Sequence, residues 1–122
     1  MKLIALLLCA VGLAIPQERQ GTFEIRFGPT AVLQTGAQVP FEIRVSDARH
    51  NPVTEARVTL QIETMHNTRV QVFNAPEADR RANPGLYIAK PVFPEAGQWN
   101  VYVEVRRDDQ MSTRTIQFTV TD

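Results

Sequence analysis

Apolar and polar residues alternate one for one through most of seven separate stretches of this chain. That period of two narrows the fold more than any other feature, because side chains of a β-strand point to opposite faces in turn. Phe23, Ile25 and Phe27 alternate with Glu24 and Arg26; Val39, Phe41, Ile43 and Val45 alternate with Pro40, Glu42, Arg44 and Ser46. Val58, Leu60 and Ile62 form a third set, and Val70 and Val72 a shorter run ending at Phe73. Leu86 to Ala89 is apolar on both faces. Trp99, Val101, Val103 and Val105, then Ile116, Phe118 and Val120, complete the series. Turn signals separate them: Gly28-Pro29, Gly36, Asn51-Pro52, Ala75-Pro76, Asn83-Pro84-Gly85, Pro94, Gly97 and Asp108-Asp109. Glu77 to Ala82 has room for one helical turn before Pro84. Strands with one polar face belong to antiparallel sheets packed on one side. The reading is therefore all-β: a seven-stranded antiparallel immunoglobulin-like β-sandwich. If successive strands reverse, loops 46–57, 74–84 and 106–112 share one end, and loops 28–38, 64–68 and 91–98 share the other.

The first residues read differently. Met1-Lys2 precedes an apolar stretch, Leu3 to Ile15, which is shorter than the roughly 20 residues a membrane span needs. Small residues at Gly12 and Ala14 suit a signal peptidase. The expected organisation is a signal peptide at 1–14, a flexible leader at 15–21 and the sandwich at 22–122, a length that suits one domain. This places the protein outside the cytoplasm, in the periplasm or cell envelope; a retained segment would instead tie it to the membrane. Lipidation at Cys9 is the weaker rival, since Leu6-Leu7-Leu8 lacks a small residue before the cysteine. Cys9 is the chain's single cysteine, so neither an internal disulfide nor a thiolate cluster can form.

Charge excludes further classes. Thirteen basic and thirteen acidic side chains balance and are mixed along the chain, so no basic stripe marks a nucleic-acid binder. A nucleophile–base pair has little to draw on: the serines are Ser46 and Ser112, the histidines His50 and His66, and neither serine sits in a nucleophile motif. An enzyme is not expected, and nothing marks a small-molecule substrate. His50 reads as an exposed turn residue, and nothing in the spacing supports a His50–Met111 metal pair. Met65-His66, where the third strand ends, is the one pair with metal-ligand chemistry, since thioether and imidazole together suit copper. Adjacent strand residues point apart, so both reach one ion only where the strand is irregular. The plainer reading is a core methionine beside a rim histidine. Trp99 reads as a core anchor, and Tyr87 as a corner tyrosine whose neighbours Leu86 and Ile88 compete with it for the interior.

Several pieces stand in a telling order: Val45-Ser46-Asp47, Asn51-Pro52-Val53, Ala56 and Val58, Met65-His66, Pro84-Gly85-Leu86-Tyr87, and Ala96-Gly97-Gln98-Trp99-Asn100-Val101. This resembles the YtkA-like/FixH-like group of bacterial envelope domains over about residues 38–105. The resemblance implies a non-enzymatic exported or membrane-anchored protein with a protein partner in the envelope. Some members are associated with copper handling and assembly of haem–copper oxidases, which implies copper as the cofactor and Met65 and His66 as its ligands. Two departures stand out. His50-Asn51 replaces the glycine of the first turn, and the Met-rich segment is reduced to Met65-His66. The residues alone fit equally a metal-free structural or protein-binding module, such as an accessory subunit of a membrane-associated complex.

Overall fold

The computed structural model describes residues 22–64, 66 and 70–122; the expected signal peptide and leader lie outside them. Seven strands follow in chain order: β1 (Glu24–Pro29), β2 (Phe41–Ser46), β3 (Arg57–Thr64), β4 (Gln71–Asn74), β5 (Leu86–Ala89), β6 (Gly97–Arg107) and β7 (Gln110–Val120). They pair antiparallel into a three-stranded sheet, β1-β2-β5, and a four-stranded sheet, β4-β3-β6-β7. The fourth strand thus lies beside β3, whereas the constant-type immunoglobulin arrangement puts it in the other sheet. Phe41, Ile43 and Val45 from one sheet, and Leu60, Ile62, Val101, Val103 and Val105 from the other, are buried in a shared core. Trp99 is 3% exposed. Its ring meets Phe93 edge-on with centroids 5.2 Å apart, and its indole N–H donates to the Glu95 carbonyl at 2.9 Å.

The loops sort into two ends as the alternation implies. At one end Arg107 donates to the Thr54 carbonyl, joining the β6–β7 hairpin to loop 46–57. At the other, the Gly36 N–H donates to the Phe93 carbonyl, and Gln34 bridges Thr121. The β6–β7 hairpin closes in two residues, and Asp108 takes the positive φ (57°) that such tight turns demand. Residues 79–83 form a single turn, with the Asn83 N–H on the Asp79 carbonyl; it starts two residues later than the Glu77–Ala82 span expected, because Glu77 bridges Tyr87 along the sheet edge. Gly85 (φ +82°) has no substitute: a Cβ there would stand 2.9 Å from both the Pro52 Cβ and the Val45 carbonyl.

Two strands differ from the simple alternation. In β4, Phe73 registers with Leu60 on the inner side, while Val72 registers with Gln61 on the outer side. Val70 and Val72 are accordingly 44% and 59% exposed. The strand is a short edge, and one half-buried phenylalanine sets its phase against two small valines. In β5, Tyr87 and Ala89 face the core, yet Leu86 on the opposite face is also buried. Segment 76–78 runs along this strand's free edge, with the Ala78 N–H on the Leu86 carbonyl and the Ile88 N–H on the Pro76 carbonyl.

Candidate functional site

The end formed by loops 46–57, 74–84 and 106–112 is held by directed bonds. Asp47 opens loop 46–57 by accepting the N–H groups of Arg49 and Asn51, both at 2.9 Å. The Asn51 bond leads in holding its carboxyl below the usual carboxylate range. His50 then takes a φ of +67°, a conformation that suits glycine and strains other residues. It stands where the resembled pattern carries its glycine, so the backbone demand persists although the residue has changed. The Tyr87 hydroxyl, inside the sandwich, donates to the Val53 carbonyl at 2.9 Å and accepts the Ala56 N–H at 3.0 Å. It therefore anchors a loop more than thirty residues earlier, and not its own corner as the sequence suggests. Burial pushes this hydroxyl's pKa up, against the opposing Ala56 bond. Arg80 spans Glu77 and Glu55, and Glu77 also accepts the Glu55 N–H. This clasp occupies the polar groups of the end on one another.

The outer face of the four-stranded sheet is chemically different. Gln61 and Tyr102 register with each other, as do Tyr102 and Thr115, and Asn100 and Gln117. Gln61, Glu63, Val70, Asn100, Tyr102 and Thr115 line a shallow depression of about 240 Å³. Of these six residues Glu63 alone is charged. Glu63 sits at one end, and Glu104 at the other is ion-paired with Arg106. The Tyr102 hydroxyl bonds Glu104 at 3.4 Å, and burial, reinforced by that carboxylate, pushes its pKa up. The bond ties the ring along the strand. Sequence reasoning missed this face because Val70 and Val72 read there as one more short alternating run, ending at Phe73.

The histidines fall at opposite ends. His66 is exposed beyond the end of β3, whereas Met65 lies outside the described residues. His50 is exposed, with its Nδ1 3.9 Å from a Glu24 oxygen. Met111 registers with Arg106 in the four-stranded sheet and is not among the residues that line the cleft beside His50. No group of three or more His, Cys, Asp or Glu side chains converges among the described residues. The Ser46 hydroxyl bonds Glu24 at 3.4 Å. Glu24 thus contacts both hydroxyl and imidazole, and the serine–histidine bond of a relay is absent among the described residues. The Ser112 hydroxyl is buried and accepts the Phe23 N–H at 2.8 Å. No helix among the described residues is long and apolar enough to cross a membrane.

Two antiparallel sheets closed on one apolar core, with the loops gathered at both ends, define an immunoglobulin-like β-sandwich domain. The chain belongs to the YtkA-like family, which it matches over residues 17–104. Among solved structures it is similar to the ZirS C-terminal domain, with a TM-score of 0.51 and 15% identity. That alignment covers 81% of this chain and 65% of the other, and at such identity it speaks for the fold alone. No curated protein matches the chain. Family and fold together describe a small β-sandwich of accessory type.

Proposed function

We propose that this protein is a non-enzymatic accessory domain of the bacterial cell envelope, which meets a protein partner through the outer face of its four-stranded sheet. The observation that carries this reading is the exposure of Val70 and Val72 beside Tyr102 and Gln61, around a depression in whose lining Glu63 is the single charged residue. Interfaces favour aromatic residues and exclude charge from their core. A photo-crosslinker at Gln61 tests the reading in cells, with one at Glu42 on the other sheet as control. A discrete partner adduct is expected from Gln61 alone, and Val72→Glu should abolish it. Equal adducts from both faces, or no effect of Val72→Glu, would sink the proposal.

Export follows from the apolar N-terminal segment. Protein recovered from the envelope should begin at Ile15 by intact mass; a mass retaining Met1 to Ala14 would indicate an anchor instead.

Copper handling, including a role in oxidase assembly, is the second reading. It is favoured by the exposure of His66 at the end of β3, beside Met65 in sequence, and by the family. A thioether prefers Cu(I), so Cu(I) binding should fall in Met65→Leu and His66→Ala when measured against a calibrated chelator. Leucine keeps the volume of methionine and removes only the sulfur. Equal binding by wild type and both variants would end the copper reading and leave the docking role intact.

A further inference from the structure

The outer face of the three-stranded sheet carries a charge arrangement that strand pairing does not account for. Arg26 on β1 and Arg44 on β2 stand directly opposite each other in register. Opposed side chains on one face lie about 4.5–5.5 Å apart at Cβ, so like charges there repel. Arg44 has Glu42 at 3.8 Å. Arg26 makes no ion pair among the described residues. Both arginines line a cleft of about 270 Å³, whose other walls include Ser46, His50 and Pro84-Gly85.

We propose that this cleft binds a phosphate-type oxyanion, with Arg26 and Arg44 as its principal donors. Each guanidinium is a planar fork that grips two oxygens at once. The two arginines and Ser46 come from neighbouring strands, and His50 from the loop beyond. A tetrahedral anion, with oxygens on every side, meets donors so distributed better than a flat carboxylate does. A bound anion also screens the two arginines from each other, so binding relieves a repulsion that the empty face carries. Glu24 limits the affinity: it accepts the Ser46 hydroxyl at 3.4 Å and lies 3.9 Å from the His50 Nδ1. Glu42 likewise competes for Arg44. Binding is accordingly weak, in the millimolar range. The site lies on the opposite sheet from the proposed docking face and stands independently of it. Free phosphate and a phospholipid headgroup share the chemistry it recognises.

The test is a titration of purified protein with inorganic phosphate, followed by amide NMR shifts, with chloride at equal ionic strength as control. Saturating shifts are expected around residues 24–28, 42–50 and 84–86. Arg26→Gln should weaken binding about tenfold, with a melting temperature in chloride no lower than wild type. Glu24→Gln should tighten binding several-fold, which loss of fold could not mimic. Vesicles of phosphatidylglycerol, set against phosphatidylcholine, separate the sources. Binding to the anionic vesicles that free phosphate displaces assigns the headgroup; phosphate shifts without vesicle binding assign the free anion. Shifts that never saturate, that scatter over both sheets, or that ignore both substitutions would overturn the proposal.

Discussion

His50 holds a φ of +67° although it is not a glycine. That conformation costs an L-residue about 1–2 kcal/mol, while glycine's extra backbone freedom costs about 0.5–1 kcal/mol on folding. His50→Gly should therefore stabilise the domain by about 0.5–1 kcal/mol; its exposed contact with Glu24 is worth little. Urea unfolding checks this, and an unchanged or lower midpoint would show that the turn is not strained. Tyr87 gives the opposite case. Tyr87→Phe strands the Val53 carbonyl and the Ala56 N–H, bonded to its hydroxyl at 2.9 and 3.0 Å. A buried polar group left without a partner costs about 1–3 kcal/mol. The hydroxyl's pKa is raised, chiefly by burial, so the folded state favours the neutral phenol. That stability is complete below the unfolded value of about 10 and is lost as pH rises through the folded one. As pH rises from about 10 through the folded value, wild type should lose stability more steeply than Tyr87→Phe. Parallel alkaline denaturation curves would refute the assignment.

Strand β6 runs through the middle of the four-stranded sheet, and Trp99 pins its start against Phe93 and the Glu95 carbonyl. Truncating a buried aromatic to alanine costs about 3–5 kcal/mol, against a typical total of about 5–15 kcal/mol. Trp99→Ala should leave a marginal domain, and a melting temperature within a few degrees of wild type would contradict this. Strand β7 is a long edge. Arg114 sits in inner-face register opposite Val103, and its guanidinium donates to the Ile25 carbonyl at 2.6 Å. An inward-pointing charge on an edge discourages pairing with another chain. Arg114→Val should promote concentration-dependent self-association in sedimentation runs; a variant that stays monomeric at every concentration would assign the protection elsewhere. Strand β4 shows why alternation misleads at an edge. Val70, Val72 and Phe73 offer two phases, and only the register with Leu60 and Gln61 selects the one that buries the phenylalanine.

The whole molecule stands without covalent help, because its single cysteine precedes the sandwich. Its melting temperature should be unchanged by reductant; a drop would reveal a disulfide between chains. Most of the architecture was legible in the alternation. The period is plain in every element but β4, whose valines point outward, and β5, which is apolar on both faces; elsewhere a strand buried on one face cannot hide that pattern, and the turn residues mark the boundaries. Trp99 as a core anchor and the sorting of loops into two ends follow from the same period. Chain-distant contacts were not legible. Neither the reach of Tyr87 to Val53 and Ala56 nor the placement of β4 beside β3 has a local signature. The same holds for the candidate surfaces. Arg26 and Arg44 lie eighteen positions apart, and only the β1–β2 register sets them face to face. Met65-His66 was visible as chemistry, but Met65 lies outside the described residues and His66 stands exposed. Local alternation already marks most of the side chains that leave water, the edge strand β4 and the doubly buried β5 excepted. Which polar side chains meet on the surface has no such local mark, since it depends on sheet order and strand register.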